Sequence, residues 1–200
     1  MIQKVYMYKR FERLWHWAQA LLIFFLAITG FEVHGSYNIF GFEKAVVLHM
    51  YTGFILIVLI AFAIFWHFTT GEWRQYIPTT DKLRDQVRYY LVGIFKNEPH
   101  PHDKSVEVKL NPLQKISYLG FKILIIPVMV LTGLIYYYVA HGTLHLQSVK
   151  WIAIIHTFGA YLLLTFAVIH VYMTTTGHTI TSHMKAMITG YDEIEVEEKK

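Results

Sequence analysis

The chain has 200 residues, of which 54% are hydrophobic and 16% aromatic, with a formal net charge of +4. It is too apolar for a soluble domain of this length, which predicts a membrane protein with several spans. The absence of cysteine excludes disulfides, zinc–thiolate sites and cysteine-held iron–sulfur clusters. The modest charge argues against nucleic acid as a partner.

Four apolar segments are long enough to cross a bilayer. They cover about residues 14–31, 45–68, 116–139 and 151–173. Hydrocarbon offers no hydrogen-bond partners, so each segment must be a helix. Pro127 predicts a bend in the third span. The fold class predicted is all-α: one domain over residues 1–200, an integral membrane four-helix bundle.

Basic residues predict the orientation of the spans. The loop after the first span and the loop after the third each carry a single lysine, Lys44 and Lys150. The positive-inside rule then places both termini and the loop over residues 69–112 in the cytoplasm. The basic residues on that side are Lys4, Lys9, Arg10, Arg13, Arg74, Lys82, Arg84, Arg88, Lys96, Lys104 and Lys109.

Two segments outside the spans have a recognisable character. In "DKLRDQVRYYLVGIFKNE", apolar residues from Leu83 to Ile94 recur at helical spacing, which predicts a short amphipathic helix on the inner membrane surface. The acidic tail over residues 190–200, ending "YDEIEVEEKK", has little to bury. We expect it to be mobile or to contact a partner.

Histidines inside the spans fall at two depths. His156 and His170 are fourteen residues apart, so on a helix they share a face about 21 Å apart along the axis. With the predicted orientation, His49 and His156 lie at the outer level, and His16 and His170 at the inner level. His67 falls about one turn beyond the inner level, where a hydrogen-bonding role is favoured over a ligand role.

Facing imidazoles across a helical bundle are typical of b-type haem, whose iron takes one nitrogen above the porphyrin and one below. Gly30, Gly53 and Gly159 fall in register with the histidines, and a missing side chain there lets a porphyrin approach the helix. Close helix packing by small residues is the alternative explanation for each glycine.

Two other classes of function remain open. One is a standalone membrane cytochrome b that passes electrons to soluble carriers. The other is a haem-free, histidine-lined metal or proton transporter, which would be expected to carry carboxylates within the membrane. The only candidate charges are Lys122 within the third span and Glu32 at the end of the first, which favours haem.

The chain resembles the dihaem cytochrome b subunits of bacterial membrane-bound formate dehydrogenases, nickel–iron hydrogenases and thiosulfate reductases. The resemblance covers almost the whole chain. The motifs that carry it are "RLWHW" around His16, "LHMYTG" around His49, "NPLQK" at residues 111–115, "IHTFGAYLLLTFAVIHVY" and "HTITSHMKAMITGY".

The resemblance implies an electron-transfer subunit in the bacterial inner membrane, with two b haems. It implies the same pairs as depth alone: His49 with His156 for the outer haem, and His16 with His170 for the inner one. Its partners would be a periplasmic iron–sulfur or multihaem subunit and the catalytic subunit. The substrate would be menaquinone or ubiquinone, with either direction of electron flow.

The quinone pocket implied by the resemblance lies where the third span begins. It maps to Asn111, Leu113 and Gln114, with His170 close by. The alternative is that "NPLQK" is only a helix start, with Asn as N-cap and Pro in the first turn. Arg10 and Arg13 are near enough to the inner level to pair with haem propionates, and each also marks the cytoplasmic side.

Overall fold

The computed structural model describes residues 2–96, 98, 101, 105, 108–144, 149–177 and 179–195. Within these residues, four helices are long and apolar enough to cross a membrane: Arg10–Val33, Phe42–Thr70, Pro112–Ala140 and Lys150–Thr174. The prediction of an all-α protein with four spans is confirmed. Each helix runs past the predicted apolar segment because polar flanking residues continue it at both ends.

The helices are named in chain order. They are α1 (Arg10–Val33), α2 (Phe42–Thr70), α3 (Leu83–Leu91), α4 (Pro112–Gly120), α5 (Ile126–Ala140), α6 (Lys150–Thr174) and α7 (Ser182–Thr189).

The third span is interrupted at the place where a bend was predicted. Between α4 and α5, Phe121–Ile125 forms a π-helical turn. Pro127, in the first turn of α5, has no N–H to donate, and its ring crowds the carbonyl of Ile123, four residues earlier. The wider turn is the local arrangement that accommodates this proline.

The chain divides into two compact units. A helical unit contains Leu14–Trp66 and Leu124–Ile169, and a terminal unit contains Met1–Arg13, His67–Ile123 and His170–Lys200.

The helical unit is a four-helix bundle built from α1, α2, α5 and α6. Aromatic side chains connect α2 with α5, where the rings of Phe54 and Tyr137 are 5.0 Å apart. They also connect α1 with α6, where Phe31 and Tyr161 are 6.2 Å apart. Hydrogen bonds described below connect α1 with α2 and α5 with α6. Each helix therefore packs against two neighbours.

The terminal unit joins the two ends of the chain. Strand β1 (Ile2–Tyr6) pairs antiparallel with β2 (Tyr191–Glu195), and Lys4 faces Glu193 across the pair. Gly190 ends α7 with a positive φ of 90°, which lets the chain turn directly into β2. Residues 191–195 of the acidic tail therefore pair with the basic N-terminus, and the mobility expected of the tail stays a prediction. Residues 196–200 lie outside the described part of the chain.

Helix α3 falls within the segment predicted to be amphipathic and has nine residues. It contacts the start of α4, because the Tyr90 hydroxyl accepts a hydrogen bond of 3.2 Å from the amide nitrogen of Asn111. Burial raises the pKa of Tyr90 to about 12. Its location on the membrane surface stays a prediction.

A buried ion-pair network ties together three segments of the terminal unit. Lys109 is 6% exposed, and its Nζ lies 2.9 Å from Glu12 and 3.1 Å from Glu72. Lys9 reaches Glu72 from the other side at 2.7 Å. Burial raises the pKa of the Glu72 carboxyl, but hydrogen bonds from Lys9 and Lys109 outweigh it, so the pKa lies below its ordinary value. The network connects the start of α1, the end of α2 and the approach to α4.

Glu32, near the end of α1, holds the segment that leads into α2. Its Oε1 accepts hydrogen bonds from the backbone N–H groups of Ile39, Phe40 and Gly41 at 2.7–2.8 Å, and the residue is only 4% exposed. A carboxylate at a helix N-terminus satisfies amides that have no partner within the helix. The carboxylate of Glu32 therefore has a structural role.

We expect Glu32→Ala to lower the thermal unfolding midpoint, because three backbone donors lose their acceptor at a cost of about 2 kcal/mol. Thermal unfolding of the detergent-purified protein, followed by circular dichroism, measures this. Glu43→Ala is the matched control, since Glu43 is an exposed carboxylate in the first turn of α2. Equal midpoints for the two variants would contradict the role given to Glu32.

Candidate functional site

His49 on α2 and His156 on α6 face each other inside the helical unit. Their ring centres are 6.2 Å apart and the ring planes are inclined at 69°. Two imidazoles that bind one metal ion from opposite sides, each with a nitrogen about 2 Å away, have ring centres roughly 6 Å apart. The two residues predicted to share the outer level are therefore brought together at a separation that fits an iron ion between them.

A threonine from a neighbouring helix contacts each of these two imidazoles. Thr29 Oγ1 on α1 lies 3.0 Å from Nδ1 of His49, and Thr132 Oγ1 on α5 lies 2.7 Å from Nδ1 of His156. Both threonines are buried, at 0% and 6% exposure. Because Nδ1 of each ring is occupied in this way, Nε2 is the nitrogen left to bind a metal.

The three glycines that are in register with the histidines have different surroundings. A Cβ at Gly30 would lie 3.3 Å from Cε1 of His49, so this glycine allows the imidazole to pack against α1. A Cβ at Gly53, one turn beyond His49, would meet no protein atom within 4 Å, which leaves a smooth helix face beside the imidazole. Gly159 packs against Met129 and has the helix-packing role. Gly133, which was not predicted, lies beside His156, where a Cβ would be 3.7 Å from Cε1; this is an ordinary van der Waals distance, less tight than the 3.3 Å at Gly30.

The two residues predicted to share the inner level fall in different units. His170 belongs to the terminal unit, where its Nδ1 is 3.3 Å from the hydroxyl of Tyr118 on α4. His16 belongs to the helical unit, and its ring meets the edge of the Trp17 ring with centres 5.2 Å apart. The pairing of His16 with His170 stays a prediction.

Arg10 and Arg13 differ in their surroundings. Arg10 is exposed at the start of α1. Arg13 is half-buried, and its Nη1 donates to the backbone carbonyl of Ile188 at 2.5 Å. Its Nε is buried and, within the described residues, has no acceptor. A guanidinium N–H with this geometry is a suitable donor for a carboxylate such as a haem propionate.

His67, which was expected to form a hydrogen bond, is 8% exposed at the end of α2. Its Nε2 lies 3.4 Å from the hydroxyl of Tyr76. The Nζ of Lys122 lies 3.1 Å from the centre of the Tyr76 ring, a cation–π contact. Burial raises the pKa of Tyr76 above its ordinary value. In the terminal unit, His67 therefore contacts a tyrosine.

The segment predicted to bind quinone forms a helix cap. The Asn111 side chain accepts from the N–H of Gln114 at 2.8 Å, and the Gln114 side chain accepts from the N–H of Asn111 at 3.0 Å. This reciprocal pair is a capping box, and Pro112 occupies the first turn of α4. Asn111 is 3% exposed, whereas Leu113 and Gln114 are half-buried. The helix start that "NPLQK" predicted as the alternative to a quinone site is therefore observed.

Two histidines outside these positions also form hydrogen-bond contacts. His34 Nε2 lies 3.3 Å from the hydroxyl of Thr157, and His141 Nδ1 lies 2.8 Å from the carbonyl of Tyr137. Both histidines are exposed. His145 lies outside the described residues.

Sequence reasoning missed the partners of the histidines: Thr29, Thr132 and Tyr118. The dipeptide Thr-Gly occurs in "AITGF" of the first span and in "VLTGL" of the third, but it also occurs at four other places in the chain and therefore gives no specific signal. A threonine inside an apolar helix commonly donates its hydroxyl proton to a backbone carbonyl of the preceding turn. Its oxygen can still accept a hydrogen bond, but the sequence does not show from which residue.

Comparison with known proteins identifies the family of this chain. The family model for prokaryotic cytochrome b561 matches residues 7–190. The chain is 30% identical to cytochrome YdhU of Escherichia coli (strain K12) over 195 residues, which cover 94% of this chain and 75% of that protein. It is 24% identical over 218 residues to a Ni/Fe-hydrogenase B-type cytochrome subunit of Rhodobacter capsulatus, covering 94% of this chain and 80% of that protein. The chain belongs to the prokaryotic cytochrome b561 family.

Proposed function

We propose that this multi-pass membrane cytochrome b is the anchoring subunit of a respiratory oxidoreductase. It carries electrons through two bis-histidine b haems between a periplasmic partner and a quinone site near the cytoplasmic face. The observation that supports this most strongly is the facing pair His49 and His156, whose ring centres are 6.2 Å apart. Haem, when bound, supplies the ability to accept and release one electron at a time.

His49 and His156 hold the outer haem through Nε2, since a hydroxyl occupies each Nδ1. Gly30 and Gly53 leave the faces of α1 and α2 beside His49 free of side chains. A neutral imidazole bound to iron also avoids the cost of an unpaired polar group in hydrocarbon.

His16 and His170 hold the inner haem, and Arg10 and Arg13 bind its propionates. The buried Nε of Arg13 supports this assignment, because a buried guanidinium N–H without an acceptor is costly and a carboxylate would satisfy it. Tyr118 orients His170 through the contact between its hydroxyl and Nδ1.

Quinone, either menaquinone or ubiquinone, binds at Asn111, Leu113 and Gln114, with His170 close by. In the capping box, the side-chain oxygens of Asn111 and Gln114 each accept one hydrogen bond. Each oxygen has a second lone pair, and each side-chain amide still has an N–H to donate. The cap holds the two amides in fixed positions at the start of α4, and this supports their use as hydrogen-bond partners for a quinone carbonyl.

Asn111→Ser separates the cap from quinone binding, because serine is also a good N-cap. We expect the serine variant to keep the cap but to lose the hydrogen bond to Tyr90, and to need a higher concentration of quinol for half-maximal haem reduction. Asn111→Ala should in addition lose about 1 kcal/mol of stability. Unchanged quinol dependence in both variants would show that Asn111 serves the cap alone.

The periplasmic partner, an iron–sulfur or multihaem subunit with its catalytic subunit, docks on the loops over residues 32–44 and 140–150. Apolar side chains are exposed in the first of these, with Ile39 and Phe42 each 64% exposed. The hydrogenase cytochrome subunit among the relatives supports assembly into a multi-subunit oxidoreductase.

Reduction by a quinol tests this function. Detergent-purified protein is mixed with menadiol or decylubiquinol, and the b-type absorption band is followed. We expect both haems to be reduced in the wild type. His170→Ala should lose the inner haem and quinol reactivity but keep the outer haem, whereas His141→Ala should behave as wild type. Loss of both haems in His170→Ala would contradict the proposed pairing.

A further inference from the structure

Two threonines on different helices make the same set of contacts. Thr29 on α1 donates its hydroxyl proton to the carbonyl of Phe25 at 2.9 Å and faces Nδ1 of His49. Thr132 on α5 donates to the carbonyl of Val128 at 2.6 Å and faces Nδ1 of His156.

The direction of each hydrogen bond follows from the number of protons. A hydroxyl has one proton, and each threonine gives it to the carbonyl four residues earlier in its helix. If Nε2 binds iron, as the proposed function has it, the one proton of each neutral ring is on Nδ1 and has to be donated. The threonine oxygen that lies beside it, with its own proton given to the carbonyl, is then the acceptor.

A glycine follows each threonine and contacts the same imidazole. Gly30 follows Thr29, and a Cβ there would lie 3.3 Å from Cε1 of His49. Gly133 follows Thr132, and a Cβ there would lie 3.7 Å from Cε1 of His156. One helix thus offers each imidazole an acceptor and, in the next residue, a bare backbone to pack against. The helical unit contains three Thr-Gly pairs, and these two lie beside the imidazoles, one on each side of the site. In the third, Thr52 donates to the carbonyl of Leu48, and a Cβ at Gly53 would meet no protein atom within 4 Å.

We propose that the pairs Thr29-Gly30 and Thr132-Gly133 are the positioning residues of the outer haem, which select the Nδ1–H tautomer of both ligands and tune the potential of that haem. This inference rests on the proposed function, in which His49 and His156 are the ligands. An imidazole that donates from Nδ1 is a more basic ligand, which stabilises the oxidised metal. The two threonines therefore lower the reduction potential of the outer haem.

The inner haem offers an internal comparison. His170 also has a hydroxyl near its Nδ1, but that hydroxyl belongs to Tyr118 and lies 3.3 Å away. Replacement of either threonine should therefore affect one haem of the two. Tyr118→Phe should affect the other.

The experiment is a redox titration of the purified protein, with variants Thr29→Val, Thr132→Val and the double variant. Valine has the shape of threonine without the hydroxyl. We expect one midpoint potential to move to a more positive value in each variant and the other to stay unchanged. In the double variant we expect haem affinity at the outer site to fall by about tenfold or more. Low-temperature electron paramagnetic resonance should show altered g values for the same haem only.

Three controls make the outcome specific. Thr29→Ser and Thr132→Ser retain a hydroxyl and should restore the wild-type potential. Thr165→Val removes a hydroxyl on α6 that bonds the carbonyl of Tyr161 in the same manner, and it should leave both potentials unchanged. Complete loss of the outer haem in the valine variants, with retention in the serine variants, would also support the proposal.

Unchanged potentials and resonance signals in all the valine variants, with both haems present, would overturn this inference while leaving the proposed function intact. A wild-type protein that binds no haem would overturn the proposed function and this inference together.

Discussion

We expect His156→Ala to leave the purified protein with one haem per chain, where the proposed function gives the wild type two. The variant removes one of the two imidazoles that face each other at 6.2 Å, and under the proposed function both would be needed to hold the outer haem. His49→Ala should give the same result. The remaining haem keeps the spectrum and midpoint potential of the inner site, since its ligands are other histidines.

The matched control for this loss is His141→Ala. His141 is an exposed histidine at the end of α5, and it contacts a backbone carbonyl of its own helix. We expect this variant to retain both haems. Two haems in His156→Ala, or loss of both, would contradict the assignment of His156 to one of two separate sites.

Lys109→Met lowers the stability of the protein by about 3 kcal/mol, because it leaves carboxylates buried without their cation. Lys109 lies between Glu12 and Glu72, and all three side chains are at most 13% exposed. We place the loss at the low end of the range for broken buried pairs, since Lys9 still reaches Glu72. Thermal and denaturant unfolding in detergent measure it.

Lys9→Met is the control for the same network. Lys9 is 52% exposed, and its bond to Glu72 is therefore screened by water. We expect this variant to lose less than about 1 kcal/mol. If the two variants lost the same stability, burial of Lys109 would not be the cause.

The same network makes stability depend on pH. The pKa of Glu72 in the folded protein lies below its ordinary value, so the folded protein binds fewer protons at this residue than the unfolded chain does. This contribution is present above the unfolded pKa and is lost as the pH falls through the folded pKa of Glu72. The thermal midpoint of the wild type should therefore drop on acidification below the usual range for glutamate. Glu72→Gln should flatten that drop.

The spans and the meeting of His49 with His156 could be predicted because each depends on one regular quantity. Hydrophobic length identifies the spans. The rise of a helix, combined with alternating span direction, gives histidine depth without any knowledge of side-chain contacts. The family could be inferred from the same residues, since "RLWHW" and "LHMYTG" contain two of the four histidines.

Other parts could not be predicted, because they depend on contacts between distant residues. The strand pair joins residues 2–6 to residues 191–195, and nothing local in an acidic tail indicates a partner at the other terminus. The bonds from Lys109 to Glu12 and Glu72 cross 97 and 37 residues of sequence. The threonine acceptors of His49 and His156 depend on helix rotation, which a span pattern does not specify. The capping box is the exception, since "NPLQ" is a local signal.

The most direct test of the central claim is haem stoichiometry, measured by a pyridine haemochrome assay on the purified wild-type protein. The assignment of four ligating histidines at two levels predicts two haems of the b type per chain. A value of zero, or a stable value of one in fully loaded protein, would contradict it.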